Sequence, residues 1–261
     1  MKAALVQMPI VWEDKAANFS MVREMLAATS FSGKDDLIVL PELFATGFTM
    51  NSEAIAEGDM EETESFLCDL AKEKSAYVIG GVAKKREAGL KPSNCSATAS
   101  PTGEIICRYW KTHPFSHGEE DKNYTPGDVV KTLTIGDTVI SPSICYDLRF
   151  PELYRLASSS RAEVFVVIAN WPEKRNQHWI SLLKARAIEN QAYVIGVNRC
   201  GEDPNLVYAG SSMVVDYMGE IVADAESNSG VFEAELDIAG LRDWRAHFPA
   251  LRDRHDSLSL S

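Results

Sequence analysis

Ser143-Ile144-Cys145-Tyr146-Asp147-Leu148-Arg149-Phe150 lies where one kind of secondary structure gives way to another. Residues 137–144 read as a strand that ends on the thiol. Pro151-Glu152 comes directly after, and proline at a first helical position predicts a helix reaching to about Ser158. Cys145 therefore stands on a strand-to-helix turn. A side chain there is presented at a sheet end, and nearby backbone N–H groups can bind an anion.

The same alternation extends in both directions. Strands are predicted at 3–8, 37–40, 77–82, within 91–102, and at 104–109 and 131–135. Others are predicted at 164–169, 193–198, 212–216, 220–223 and 230–236. Helices are predicted at 15–28, 61–74 and 177–190, where apolar residues such as Phe66, Leu67 and Leu70, or Trp179, Leu183 and Ala187, share a face. The uninterrupted run 164–169 predicts a strand buried on both sides. Alternating helices and strands predict a layered α/β fold. No Gly/Ser/Pro-rich linker divides the chain, so one domain over 1–261 is expected, with a polar, mobile tail from about residue 256. Segments 36–44 and 163–173 share an outline of acidic entry, apolar strand and proline-containing exit, which hints at an internal two-fold architecture.

Bulk properties narrow the function. Hydrophobic residues make up 45% and charged residues 25% of the chain, enough for a full core without staples. The net charge of −12 argues against nucleic acid as a partner, while a local Lys/Arg cluster could still attract a small anion. The five cysteines are odd in number and widely spaced, with no CxxC pair, which argues against a zinc site and a disulfide framework. The N-terminal apolar run is too short for a signal peptide, and no stretch reaches membrane-spanning length. The expectation is a cytoplasmic protein with free thiols and no membrane association.

Two further segments matter beside Cys145. Glu42, in Leu40-Pro41-Glu42-Leu43-Phe44, follows a short apolar strand, and a carboxylate there can take a thiol proton and pass it to a leaving amine. Lys111, in Tyr109-Trp110-Lys111-Thr112-His113, follows another strand, and an ammonium there can stabilise an oxyanion together with the N–H of Tyr146. Taken singly, each residue has a plainer reading: a buried core cysteine, a capping or salt-bridging glutamate, a surface lysine. Together they form a set able to attack a carbonyl, hold the oxyanion and move a proton.

At these residues the sequence resembles the nitrilase superfamily of carbon–nitrogen hydrolases. Leu40-Pro41-Glu42, Lys111-Thr112-His113 and Cys145 through Glu152 carry the resemblance, with Asn170-Trp171-Pro172 and the run from His178-Trp179 to Gln191. The resemblance spans nearly the whole chain. It implies a four-layer α-β-β-α sandwich and a Glu-Lys-Cys triad at Glu42, Lys111 and Cys145, with no metal or organic cofactor. It also implies a second acidic residue, assigned to Glu120 by its spacing to Pro126-Gly127, with Glu119 as the neighbouring alternative. The implied reaction forms a thioester, releases ammonia and ends with hydrolysis by water.

Within the superfamily, Asn170 through Arg175 with His178-Trp179, and Phe248 through Asp253, most resemble the omega-amidase branch. That branch acts on 2-oxoglutaramate and related dicarboxylate monoamides. An anionic substrate calls for a further cation, and Arg149 and Arg175 are candidates; Arg149 could instead form a structural ion pair with Glu152 or Asp147. Trp171 and Phe115 are either pocket walls or core. Cys145 through Glu152 also resembles the branch acting on deaminated glutathione. Outside hydrolysis, the alternatives are a thiol redox sensor, which needs neither Glu42 nor Lys111, and a silent scaffold. The helix at 177–190 carries the expectation of a homodimer, since the family commonly pairs through this region; packing within one subunit is the alternative.

Overall fold

The structure, a computed structural model, describes residues 1–87 and 89–255. In chain order its strands are β1 (Lys2–Gln7), β2 (Leu37–Val39), β3 (Tyr77–Lys84), β4 (Ser93–Ala99), β5 (Ile105–Trp110), β6 (Leu133–Ile135) and β7 (Thr138–Ile144). Then come β8 (Val164–Ala169), β9 (Tyr193–Asn198), β10 (Cys200–Glu202), β11 (Val207–Ala209), β12 (Met213–Val215), β13 (Ile221–Asp224) and β14 (Gly230–Glu235). The α-helices are α1 (Lys15–Met25), α2 (Ser52–Ile55), α3 (Glu62–Lys74), α4 (Glu120–Asn123), α5 (Pro151–Ser159), α6 (Asn176–Asn190) and α7 (Ile238–His247).

Two six-stranded sheets result, ordered β14-β1-β2-β3-β4-β5 and β13-β12-β9-β8-β7-β6. From β14, the first sheet pairs antiparallel, parallel, parallel, antiparallel, antiparallel. From β6, the second sheet repeats that order of pairings. The match sets β2 against β8, the strands of the two segments with a common outline in sequence.

Side-chain parity builds the layers. In the first sheet Ala3, Leu5, Leu37, Val39 and Ile79 join the apolar cluster of the second sheet. Their neighbours Ala4, Val6, Ile38, Leu40 and Val78 pack with Val22, Leu26, Phe66 and Leu67 of the α1 and α3 region. Beyond the second sheet, Tyr154, Ala157, Trp179, Leu183 and Ala187 of α5 and α6 pack against it. The order of layers is helix, sheet, sheet, helix: a four-layer α-β-β-α sandwich. All of β8 is buried, as its continuous apolar run requires. Each fully buried Val, Leu or Ile contributes about 1.5–3 kcal/mol of transfer free energy.

Some features depart from the sequence expectation. Helix α1 ends at Met25, short of residue 28. The β10–β11 hairpin and α7 were not anticipated; α7 buries only Leu241 and starts where the Asp237 side chain accepts the Gly240 N–H. Trp179 is fully enclosed within its own chain and donates its indole N–H to the Ser211 carbonyl. The expected mobile tail lies outside the described residues. Among the described residues, no helix is long and apolar enough to cross a membrane.

The fold aims strand ends at one place. Glu42 follows β2, Lys111 follows β5, Cys145 follows β7 and Asn170 follows β8. The segment carrying Glu42 crosses β3 so closely that only glycine fits beneath it. A Cβ on Gly81 would stand 2.2 Å from the Leu43 nitrogen and 2.7 Å from the Glu42 Cα. Gly81→Ala is therefore expected to lower stability by about 1–3 kcal/mol, the usual cost of overpacking. Urea denaturation reads this directly, and an unchanged midpoint would show that the segment moves aside freely.

Candidate active site

Glu42 is fully buried, and every partner of its carboxylate is a donor. Oε1 accepts from Lys111 Nζ at 2.8 Å and from Asn94 Nδ2 at 2.7 Å; Oε2 accepts from the Asn170 N–H at 2.7 Å. The Asn170 side chain donates to the Glu42 main-chain carbonyl at 2.6 Å. These bonds join the ends of β2 and β8, and with them the two sheets.

Lys111 also reaches Glu120 Oε2 at 2.9 Å. Burial works against its ammonium, but the Glu120 and Glu42 carboxylates outweigh burial and hold its pKa well above the ordinary lysine value. Glu120 opens α4 and accepts the Phe115 N–H at 2.6 Å and Asn94 Nδ2 at 2.9 Å. Burial raises the Glu120 pKa, Lys111 opposes this, and Glu42 adds to it. The neighbouring Glu119 is exposed, has a left-handed backbone (φ 60) and pairs with Lys122. The structure thus brings Glu120 to Lys111 and leaves Glu119 in solvent.

Cys145 sits at φ 46, a left-handed conformation that turns the chain sharply from β7 into a 3₁₀ turn over Cys145–Arg149. Its Sγ lies 3.9 Å from the Asn170 carbonyl oxygen. Burial pushes the thiol well above its usual range; the Glu42 carboxylate adds to this and Lys111 opposes it. Burial and the Glu42 carboxylate thus both favour the thiol over the thiolate.

Asp147 ties this turn to the lysine segment. Its carboxylate accepts the Ile144 N–H at 3.0 Å, the Tyr109 hydroxyl at 2.8 Å and the His113 N–H at 2.9 Å. The His113 ring stacks on Phe150 at 3.7 Å. From the opposite side, Arg186 of α6 donates twice to the Leu148 carbonyl, at 3.1 and 2.8 Å. The thiol and the ammonium are therefore fixed relative to one another by residues on both flanks.

Cys145 opens into a pocket of about 380 Å³, counted to its open mouth, whose walls include Phe48, Phe115, Tyr146, Trp171 and Leu206. Arg149 and Arg175 also line it. Arg149 lies 4.7 Å over the Trp171 ring and 3.2 Å from His178 Nδ1; Arg175 lies 5.2 Å over Phe115. Asp147 spends its oxygens on the turn, and among the described residues neither arginine has a carboxylate within ion-pair distance. The structural ion pair considered for Arg149 is absent from the described residues. Burial, and repulsion from Arg175, lower the Arg149 pKa. Trp171 is both wall and core: its indole N–H donates to the Arg175 carbonyl at 2.8 Å, and its ring tilts against Trp179.

Glu42, Lys111, Glu120, Cys145, Tyr146, Arg149, Arg175, Trp171 and Phe115 thus border one region, and Glu119 lies outside it. Asn94, Asp147, Arg186, Phe48 and Leu206 were not singled out for it. Asn94 sits among other polar residues of β4, Asp147 follows a strand end, and nothing in local sequence says what either faces.

The carbon–nitrogen hydrolase family profile matches residues 2–246. An omega-amidase of Yersinia enterocolitica is 39% identical over 100% of this chain and 99% of its own. A 2-oxoglutaramate amidase of Paenarthrobacter nicotinovorans is 40% identical over 85% of this chain and 79% of its own. Among solved structures, a CN-hydrolase superfamily protein of Xanthomonas campestris, with an arsenic adduct in its active site, superposes at a TM-score of 0.91. It is 34% identical and covers 100% of this chain and 99% of that one. The β-strand ends, the acid–base cluster and these likenesses agree: the chain belongs to the carbon–nitrogen hydrolase family.

Proposed function

We propose that the chain is one catalytic domain, a cysteine-dependent amidase acting on the terminal amide of a small carboxylate-bearing substrate such as 2-oxoglutaramate. The observation that carries the reading is a buried lysine shared by two carboxylates beside a cysteine that opens into a pocket. Glu42 takes the Cys145 proton as the sulfur forms a bond to the amide carbon. The oxygen becomes an oxyanion held by Lys111 Nζ and the Tyr146 N–H. When the C–N bond breaks, Glu42 returns the proton to the departing amine, and ammonia leaves a thioester. Water, with its proton drawn off by a carboxylate of the Glu42–Glu120 pair, adds to the thioester; the acid leaves and the thiol is restored. Every step is a proton transfer or an acyl transfer within this set. Purified protein should release ammonia from 2-oxoglutaramate or succinamate. Cys145→Ala should release none, and Glu42→Gln should fold but lose about 10²–10⁴-fold in rate. If the wild type releases ammonia from neither and cleaves no deaminated glutathione, the amidase reading fails.

The anionic substrate rests on Arg149 and Arg175. Two guanidiniums stacked on aromatic rings without carboxylate partners favour a ligand that brings the negative charge. Lys111 and its two carboxylates lie beyond the pocket lining near Cys145, while the two guanidiniums stand on the pocket wall. Such a layout suits a neutral amide at one end and a carboxylate at the other. Arg175→Ala should raise KM for succinamate by about 10–100-fold, the scale of a lost charge-assisted bond, with a smaller change in kcat. Butyramide, the uncharged analogue, serves as the control. An equal rise for both amides would remove the arginine as the carboxylate anchor.

We infer further that the protein works in the cytoplasm, as five unpaired cysteines suit a reducing compartment, and pairs as a homodimer. Leu156 of α5 (60% exposed) and Ile188 of α6 (54% exposed) support the pairing as large apolar groups on the outer helical layer. Sedimentation at micromolar concentration should give a dimer, and Ile188→Glu a monomer. A monomeric wild type would contradict the pairing.

A further inference from the structure

Asn94 has no part in the reaction as written, yet it bonds Glu42, Glu120 and Lys111. It is 1% exposed, near the start of β4, beside the edge strand β5 of the first sheet. Its Nδ2 donates to Glu42 Oε1 at 2.7 Å and to Glu120 Oε1 at 2.9 Å. Its main-chain carbonyl accepts the Lys111 N–H at 2.9 Å. Its Oδ1 has no hydrogen-bond partner among the described residues. The orientation of the amide follows from chemistry: both neighbours are carboxylate oxygens, and an Oδ1 turned toward them would set acceptor against acceptor.

Resting on the amidase reading above, we propose that Asn94 is a positioning residue: its amide bridges the Glu42 and Glu120 carboxylates alongside Lys111 and keeps Glu42 ready to receive the thiol proton. Glu120 is buried close to a second carboxylate, and burial favours its protonated form. Lys111 supplies one charge to the pair, which leaves one negative charge uncompensated. Both Nδ2 hydrogens point at oxygens and stabilise the ionised form of each without adding a charge of their own. The arrangement divides the donor work. Lys111 spends two of its three N–H groups on the carboxylates and keeps the third for the substrate oxygen, while Asn94 does only the holding. A second lysine at position 94 would cancel the remaining negative charge and weaken Glu42 as a base; an apolar residue there would let a proton settle on the pair.

Two variants test this. Asn94→Ala removes both donors, and Asn94→Asp keeps the shape while replacing the donor with a carboxyl group. Loss of a donor to an ionised carboxylate raises that group's pKa, so the acid limb of kcat/KM should move to higher pH, by about one unit for Asn94→Ala and further for Asn94→Asp. The rate of Cys145 alkylation by iodoacetamide against pH should move the same way, and this readout needs no amide substrate. Thermal melts identify any variant that does not fold, and the folded one then carries the test. An acid limb at the wild-type pH in a folded variant, in both turnover and alkylation, overturns the proposal. A wild type that alkylates with the expected profile but hydrolyses no amide would instead overturn the amidase reading and leave the role of Asn94 standing.

Discussion

The structure depends on one buried ammonium. Lys111 is 2% exposed and is held between Glu42 and Glu120, neither of which has any exposed side-chain surface. An unpaired charge in such a place would cost several kcal/mol, and a lone buried carboxylate would take up a proton. Each group is tolerable only because the others are present. The cluster therefore fixes the ends of β2 and β5 and the start of α4 as firmly as the apolar layers fix the sheets. It also bears on the thiol: burial raises the Cys145 pKa, the Glu42 carboxylate adds to this, and Lys111 opposes it.

Much of the architecture was legible from periodicity. The run from Val164 to Ala169 is buried throughout, as its lack of polar alternation predicts. The repeated outline around residues 36–44 and 163–173 corresponds to β2 and β8, which hold equivalent places in sheets with the same pairing order. Elements with little apolar surface escaped notice. Helix α7 buries a single leucine, and the β10–β11 hairpin has two exposed residues out of three in its first strand.

For the site, what sequence reveals is reactive type, not proximity. Glu42, Lys111 and Cys145 stand out because each follows a strand, and strand ends gather on one side of an α/β sheet. The spacing to Pro126-Gly127 already favours Glu120, with Glu119 as the alternative, and the fold buries Glu120 while leaving Glu119 in solvent. Asn94 and Asp147 carry no reactive signature, and their importance lies wholly in what they face. The arginines are an intermediate case. Their presence near Cys145 and Trp171 was visible, but their lack of carboxylate partners is a property of the folded chain.

The bond from the Asn170 N–H to Glu42 spans 128 positions along the chain. Closing so long a loop costs backbone entropy before any reward is collected, and contacts of this kind form late in folding. A nascent or half-folded chain therefore carries the sulfur without its carboxylate, an ordinary unactivated mercaptan. The carboxylate and the sulfur meet at Asn170, whose N–H bonds Glu42 and whose carbonyl faces Cys145 Sγ, so the site takes shape only once β2, β7 and β8 are in place.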